Sequence, residues 1–225
     1  MADGGRGTVA FDVIGTLFTL ERPRDGLEAL GAPPHALEMW FAGSLRDFFA
    51  LSHAGGYAPL RDVLAASLPR TLVTLEVEHD DAAIERVIAS LKELDPAEGA
   101  GASIQVLTEA GFRIFALTNG SKEITTTLLE GAGLYRHFDA LLSCDEIRVS
   151  KPHPSVYEMA RRREPGELWM VAAHAWDIAG AARAGLRTAW ISGKELVYPV
   201  TFSSPDIRAP DLEGAARRII DHPIS

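Results

Sequence analysis

The chain lacks several features on which whole classes of protein depend. Its 225 residues include one cysteine, Cys144, so no disulfide can form within the chain. Cys144 ends the apolar run Leu141-Leu142-Ser143 and has no basic neighbour, which favours a small buried side chain over a nucleophilic thiolate. No segment is apolar for long enough to cross a membrane, and residues 1–7 are glycine-rich without the apolar stretch of a secretion signal. We therefore expect a soluble, cytoplasmic protein that has no membrane partner.

Positive charge is scarce as well. The chain has 22 Lys and Arg residues against 31 Asp and Glu residues, and its net charge is −9. Proteins bind nucleic acids largely through clustered cationic side chains. The one basic run, three arginines at residues 161–163, falls at the end of a predicted helix, where the helix dipole favours cations that face solvent. We therefore expect no nucleic-acid partner.

What the chain does have is enough apolar residues for a substantial core, 47% of the total, in an alternating strand and helix pattern. The predicted strands cover residues 8–13, 113–117, 138–143, 168–173 and 187–191, the last of these being the last core strand. The predicted helices cover residues 102–110, a segment from the N-cap Ser121 to Gly131 or Gly133, residues 154–163 and about 177–185. Strands separated by such helices indicate an α/β fold, with a Rossmann-like parallel sheet covered by helices on both faces.

A helical segment interrupts this alternation after the first strand. Residues 21–94 have apolar positions at helical spacing, with breaks predicted at residues 31–34, at 55–56 and at Pro69, and with an ambiguous stretch at 71–77. Residues 95–99 have the composition of a linker. We therefore predict a small all-helical cap domain at residues 21–94, inserted after the first strand and covering the strand tips. The α/β core domain comprises residues 8–20 and 95–225, and residues 1–7 form a flexible tail.

The most informative motif is Phe11-Asp12-Val13-Ile14-Gly15-Thr16, at the end of the first predicted strand. Ligands of parallel α/β proteins bind at the carboxyl ends of the strands. A carboxylate at Asp12 could attack carbon or phosphorus to form a covalent intermediate, or it could simply start a turn through its side chain. Ile14 has no acid or base capacity, so the residue two places after Asp12 cannot protonate a leaving group.

Further polar groups follow the next strands. Thr118 and Asn119 offer a hydroxyl and an amide to an anion near a helix N-terminus, although such residues also form ordinary turns. Lys151 lies between prolines that restrict the backbone, in Ser150-Lys151-Pro152-His153-Pro154. A lysine held near a carboxylate could keep it ionised, and the alternative is a surface lysine in a turn. Tyr157, in the first turn of the following helix, could point at the same site or pack in the core.

The last strand end of interest carries His174, Trp176 and Asp177. Each of these residues has an ordinary structural interpretation. Asp177 could cap its helix, His174 could be a hydrogen-bonded core histidine, and Trp176 could pack between sheet and helix. The order and spacing of the whole set along the chain therefore matter more than any single residue.

That order and spacing resemble the haloacid dehalogenase superfamily, and within it the type II 2-haloacid dehalogenases. The matching stretches are FDVIGTLF, ALTNGS, LLSCDEIRVSKPHPSVYEMA and VAAHAWDIAGAARAGLRTAWI. They lie within residues 9–191, with the helical insertion in the position of the family's cap. The resemblance implies a homodimer.

Two positions separate the branches of the superfamily. Its phosphatases usually carry a second aspartate two residues after the nucleophile and a magnesium-binding acidic residue four positions before the residue matching Asp177. These positions hold Ile14 and Ala173 here. Magnesium requires oxygen ligands in near-octahedral geometry, so the resemblance favours the branch that uses no metal and no cofactor. A Mg-dependent small-molecule phosphatase, and a catalytically silent relative that binds an anionic metabolite, remain the alternatives.

The resemblance also implies a mechanism. Asp12 attacks the halogen-bearing carbon of a 2-haloalkanoic acid and displaces halide with inversion, and water then attacks the carboxyl carbon of Asp12 to release a 2-hydroxy acid. Lys151 orients Asp12 and offsets its charge. The residues expected to act in catalysis are Asp12, Lys151, Asp177, Thr118 and His174, and those expected to bind substrate are Thr16, Asn119, Tyr157, Phe41, Ile14, Trp176 and Arg46.

Two departures from the family pattern concern anion recognition. After a tryptophan in the cap, the family usually places an arginine that receives the halide, whereas Trp40 is followed here by Phe41. A phenyl ring offers only a weakly positive edge to an anion; Arg46 could substitute. His174 stands where the family usually has asparagine, and it could act as a general base or, when protonated, stabilise anions. We therefore expect a dehalogenase-like hydrolase with an altered halide site.

Overall fold

Within the part of the chain that the structure describes, six parallel strands form one sheet in the order β3-β2-β1-β4-β5-β6. The computed structural model describes residues 6–164 and 166–223. The strands are β1 (Thr8–Phe11), β2 (Arg113–Thr118), β3 (Ala140–Ser143), β4 (Leu168–Ala172), β5 (Arg187–Ile191) and β6 (Ile207–Ala209). The α-helices are α1 (Glu21–Ala29), α2 (Ala36–His53), α3 (Leu60–Thr74), α4 (Asp81–Ala89), α5 (Ala100–Glu109), α6 (Lys122–Gly131), α7 (Pro154–Arg163), α8 (Ala175–Arg183) and α9 (Leu212–Asp221).

The central strand β1 explains why the first apolar run is continuous. It pairs with β2 on one side and β4 on the other, and Phe11 lies opposite Ala116 and Val171. Its residues are buried on both faces: Val9 and Phe11 join one hydrophobic core, and Ala10 joins the other. Strands covered on both faces are apolar throughout rather than alternating. The predicted α/β fold with a parallel sheet is confirmed.

The sheet extends beyond the predicted last strand. Residues 187–191 form β5, but β6 pairs with it, placing Ile207 opposite Ala189 and Ala209 opposite Ile191. Helix α9 follows, with Asp211 as its N-cap. The prediction that β5 ends the sheet is therefore wrong. A three-residue strand is too short to show an alternating pattern, and its pairing with β5 defines it instead.

The predicted helix break at Pro69 is also wrong, because α3 runs through this residue to Thr74. A proline inside a helix removes one hydrogen bond and crowds the preceding turn. Leu64, Leu68 and Leu72 lie at helical spacing around Pro69 and are buried. Packing of this continuous apolar face maintains the helix, since tertiary contacts override local propensity.

Helices α1 to α4 lie between β1 and α5 in the chain and have an apolar interior of their own. Trp40 of α2 is buried, and its Nε1 donates hydrogen bonds to the Leu64 carbonyl (3.0 Å) and to Ser67 Oγ (3.1 Å) of α3. None of the described helices is both long and apolar enough to cross a membrane. Of the predicted N-terminal tail, residues 1–5 lie outside the described residues, and Arg6 N donates to Gly111 O at 3.3 Å.

Candidate active site

Asp12 follows β1 at the carboxyl edge of the sheet. Its backbone N donates to Val171 O at 3.0 Å, after which the chain turns between Val13 and Phe18. The side chain is buried, and its two oxygens have different partners. Thr16 Oγ1 donates to Oδ2 at 2.7 Å, and Lys151 Nζ donates to Oδ1 at 3.0 Å. The described hydrogen bonds of the carboxylate are thus made with side chains. This arrangement favours a role in a polar site over the alternative, in which the Asp12 side chain only starts a turn.

Lys151 contacts Asp12 and is fully buried. The alternative considered from the sequence, in which Lys151 lies at the surface in a turn, is therefore excluded. Its ammonium group also donates to Asp177 Oδ2 at 2.7 Å. Burial disfavours the charged ammonium, but the carboxylates of Asp12 and Asp177 outweigh that effect and raise the pKa of Lys151 above its ordinary value. The cluster therefore holds a protonated lysine between two carboxylates.

Asp177 is the third residue of α8, which begins at Ala175, so Asp177 does not cap this helix as the alternative interpretation held. Tyr157 Oη donates to Asp177 Oδ1 at 2.7 Å. Burial raises the pKa of Tyr157 well above its ordinary value, so the phenol remains a hydrogen-bond donor. Gly180 makes room for it, because a Cβ at this position would lie 2.6 Å from Tyr157 Oη.

Thr118 ends β2 beside this cluster, and Asn119 follows it. Thr118 Oγ1 accepts a hydrogen bond from Gly120 N at 2.9 Å, as a turn residue does. Asn119 Oδ1 accepts from the Lys151 backbone N at 3.0 Å and from Cys144 Sγ at 3.1 Å, which fixes the amide. Cys144 is buried as expected, and burial raises the pKa of its thiol to about 12. It is therefore a protonated donor rather than a thiolate.

A small cavity of about 10 Å³ lies over these groups. The strand ends and following loops line it with Asp12, Ile14, Thr118, Asn119 and His174, and the first turn of α8 adds Trp176. Helices α2 and α3 close it with Phe41, Leu45 and Leu60. The cavity thus brings together four of the residues predicted to bind substrate: Ile14, Phe41, Asn119 and Trp176. Its volume accommodates about one water molecule, so a larger ligand requires the helices to move away from the strand ends.

A larger outer cavity of about 780 Å³ adjoins the small one. Phe41, Leu45, His174 and Trp176 line both cavities. Arg46 lines only the outer cavity, its side chain is 68% exposed, and its guanidinium is paired with Asp47 at 2.8 Å. The structure therefore does not bring Arg46 to Asp12 as the substitute for an arginine at position 41.

His174 precedes α8 and is held by a residue that the sequence predictions missed. Glu195 Oε2 accepts a hydrogen bond from Ala175 N at 2.9 Å, and Glu195 Oε1 lies 3.6 Å from His174 Nδ1. Among the described residues, Nε2 of His174 is buried without a hydrogen-bond partner. Burial lowers the pKa of the imidazole, but Glu195 and the charge of Asp12 outweigh it and leave the pKa above its ordinary value. Glu195 follows the strand β5, and this position after a strand end is the signal that could have identified it.

The position four residues before Asp177 holds Ala173, which contributes only backbone groups. Its N–H donates to Thr16 Oγ1 at 3.0 Å, and its carbonyl accepts from Trp190 Nε1 at 3.1 Å. Within residues 6–164 and 166–223, no group of three or more His, Cys, Asp or Glu side chains is arranged to hold a metal ion. The absence of a metal requirement remains a prediction.

A parallel sheet with a buried Asp–Lys–Asp cluster at its carboxyl edge places this chain among α/β proteins with a ligand site outside the strand ends. Residues 7–185 match the family model of haloacid dehalogenase-like hydrolases, and the chain belongs to this hydrolase family. The family predicted from the motifs is thereby confirmed.

Two relatives and one solved structure illustrate the similarity. Haloacetate dehalogenase H-2 of Moraxella sp. (strain B) is 25% identical over 218 residues, which cover 94% of this chain and 96% of that protein. (S)-2-haloacid dehalogenase 4A of Burkholderia cepacia is 29% identical over 197 residues, 85% of either protein. The L-2-haloacid dehalogenase of Xanthobacter autotrophicus with chloropropionic acid covalently bound has a TM-score of 0.85 and 25% identity, covering 95% of this chain and 98% of that one.

Proposed function

We propose that this protein hydrolyses 2-haloalkanoic acids to 2-hydroxy acids through an ester on Asp12. The observation that carries the proposal is the buried Asp12 carboxylate, which Lys151 and Thr16 hold at 3.0 and 2.7 Å at the floor of the small cavity. The similar enzyme from Xanthobacter autotrophicus, with chloropropionic acid covalently bound, supports a covalent route.

In the first step an Asp12 oxygen donates an electron pair to C2 of the acid, an ester C–O bond forms, and the halide leaves with the electrons of its bond to carbon. Lys151 and Thr16 restrain the carboxylate in one orientation, so little freedom is lost on reaction. Lys151 also compensates negative charge when the anionic substrate approaches a site that already contains Asp12 and Asp177.

In the second step water attacks the carboxyl carbon of Asp12, which releases the 2-hydroxy acid and restores the aspartate. One Asp12 oxygen is the ester oxygen at this stage, and the other becomes negative during the attack. Lys151 contacts Oδ1 and Thr16 contacts Oδ2, so one of these two donors stabilises the negative oxygen. Asp177 is the candidate acceptor of the water proton, and Tyr157 holds Asp177 in place.

We further propose that residues 21–94 act as a cap domain over a core of residues 8–20 and 95–225. Phe41 and Leu45 of α2, with Leu60 of α3, close a cavity too small for a haloacid. Access of substrate to Asp12 therefore requires the cap to open, and its closure excludes bulk water during the first step.

Turnover of a panel of 2-fluoro-, 2-chloro- and 2-bromo-acids and a generic phosphate ester, each with and without a chelator, tests this proposal. We expect halide release that resists the chelator and an ester adduct visible by intact mass. Asp12→Asn removes the nucleophile, so both signals should be abolished. Phosphate release that the chelator stops would instead indicate the magnesium phosphatase, and binding of the acids without any product would indicate a silent relative.

A further inference from the structure

The cluster beside the small cavity has more negative than positive charge. Lys151 is the one ammonium group shared by the carboxylates of Asp12 and Asp177. A substrate carboxylate and a departing halide each bring a further negative charge. Among the described residues that line the small cavity, His174 is the one side chain that can become positively charged. An anion inside this cavity can therefore contact His174 as a countercharge, whereas Lys151 lies behind Asp12 and is already paired with two carboxylates.

The orientation of His174 is determined on three sides. Its ring lies parallel to Trp176, with centroids 5.4 Å apart, and Phe41 lies at a centroid distance of 6.2 Å. Nδ1 faces Glu195 Oε1 at 3.6 Å. Among the described residues, Nε2 is the ring nitrogen without a hydrogen-bond partner. It packs close to Gly15, where a Cβ would lie 2.6 Å from Nε2, so the absence of a side chain at position 15 permits this ring position.

The charges around His174 come from several elements. Asp12 after β1, Asp177 in α8 and Glu195 after β5 all favour the charged imidazole, whereas burial opposes it. Lys151 lies between the first two, and Lys194 lines the outer cavity. Helices α1 and α2 contribute Glu21, Arg24, Glu38 and Arg46 to that outer cavity, where Arg24 is bonded to both glutamates.

Glu195 has two separable functions. One oxygen accepts the hydrogen bond of Ala175 N, which offsets the positive end of α8 that would otherwise disfavour a cation at His174. The other oxygen faces Nδ1 and supplies the negative charge that an imidazolium requires. A glutamine at position 195 retains an oxygen for Ala175 N but lacks the charge.

We infer that the Glu195–His174 pair forms a monovalent-anion site beside Asp12. In this site the imidazolium Nε2–H binds either the substrate carboxylate or the departing halide, the contact that Phe41 cannot supply. The assignment to these two anions rests on the proposed dehalogenase function. His174 contacts the anion, and Glu195 is a positioning residue that acts through His174.

The test is a titration of His174 by NMR in the full chain, labelled at histidine, with sodium bromide or sodium propionate as the probe anion. His174→Gln identifies the resonance. Because the anion binds the protonated ring, the pKa of His174 should rise with anion concentration, by about one unit per tenfold increase once binding is strong. Above that pKa, affinity for the anion should fall about tenfold per pH unit.

Glu195→Gln provides the matched electrostatic variant, and Glu195→Ala removes both functions. We expect Glu195→Gln to lower the pKa of His174 and to weaken bromide or propionate binding at pH 7, because a smaller share of the ring is then protonated, while its melting temperature stays near that of the wild type. His222, which packs against Trp169 and lines neither cavity, reports the general effect of salt in the same sample.

A response to bromide alone assigns the site to the departing halide, and a response to propionate alone assigns it to the substrate carboxylate. An unchanged His174 titration with both anions, or an unchanged titration in Glu195→Gln, overturns the inference. This readout requires no turnover. The two proposals can therefore fail separately. An absent anion site appears in the NMR titration, whereas an absent dehalogenase function appears as missing halide release and a missing ester.

Discussion

At Lys151 a single ammonium group compensates two buried carboxylates, Asp12 at 3.0 Å and Asp177 at 2.7 Å. A buried ion cluster of this kind contributes little net stability when it is intact, but removal of one partner leaves charge buried without compensation. Lys151 also aligns the proposed nucleophile, so stability and catalysis depend on the same contacts. The pKa of Lys151 is higher in the folded protein than in the unfolded chain. The stabilisation from its charge is therefore complete at a pH below the pKa of the unfolded chain, and it is lost only as the pH rises through the pKa of the folded protein.

We predict that Lys151→Met destabilises the fold by about 3–5 kcal/mol at pH 7, because two carboxylates then share a buried site. The loss should become smaller as the pH falls, because burial raises the pKa of Asp177 and its protonation removes one of the two negative charges. Urea unfolding at several pH values measures both effects. Lys122→Met is the matched control, since Lys122 forms an exposed pair with Glu146. An equal effect of the two substitutions would contradict the buried-cluster interpretation.

At the scale of the element, α8 presents Asp177 to the site only because the helix lies close to Tyr157 and to Pro152. A Cβ on Gly180 would lie 2.6 Å from Tyr157 Oη and 2.6 Å from Pro152 Cβ. The glycine in the middle of this helix therefore serves close packing, although glycine ordinarily weakens a helix. The start of α8 at Ala175, with Glu195 accepting its first N–H, determines which residues face Lys151.

We expect Gly180→Ala to destabilise the protein and to slow turnover, because Tyr157 must move from Asp177. Gly43→Ala in α2 is the matched control, since no atom lies within 4 Å of the Cβ it would introduce. That substitution should stabilise the fold by about 0.5–1 kcal/mol through helix propensity. Thermal unfolding and the single-turnover rate measure the two outcomes, and a stabilising effect at both positions would refute this packing role of Gly180.

At the scale of the whole molecule, several contacts join the helical segment of residues 21–94 to the loop before Lys151, and we propose that they help to keep the small cavity closed. Tyr57 Oη donates to Asp145 Oδ1 at 2.5 Å, and the Arg148 guanidinium lies 5.4 Å from the Tyr57 ring centroid. Ser52 Oγ accepts a hydrogen bond from Ser150 N at 3.1 Å. These contacts join residues that are about 90 positions apart in the chain. The homodimer that the family resemblance implies remains a prediction.

We predict that Tyr57→Phe increases opening of the cavity, since it removes a hydrogen bond between the helical segment and the core. Amide hydrogen exchange should become faster at residues 12–16 and 118–120 and remain unchanged in β5. Asp47→Asn is the control, because Asp47 pairs with Arg46 and Arg70 inside the helical segment. Equal exchange in the two variants would show that the Tyr57 contact does not restrain opening.

Much of this site is predictable from residues that follow strands. Asp12, Thr118, Asn119 and His174 could be predicted to converge because parallel strands end at one edge of a sheet. Arg46 could not be placed, since its direction depends on how α2 packs, and the structure pairs it with Asp47. The strand β6 was missed because a three-residue strand has no local pattern. The position of Glu195 after β5 could have marked it as a site candidate, but its pairing with His174 depends on tertiary packing.

The sequence by itself determined the parallel α/β fold, through the alternation of apolar strands and helices, and the residues available for chemistry: Asp12 with Ile14 after it, Lys151, Asp177, and Phe41 after Trp40. Only the tertiary structure decided that Lys151 lies buried between two carboxylates, that Asp177 faces it rather than caps α8, and that Glu195 holds His174. The physical reason is the separation along the chain over which each effect acts. Periodicity and turn preference act between near neighbours, whereas charge compensation and burial depend on distances that form when the whole chain packs.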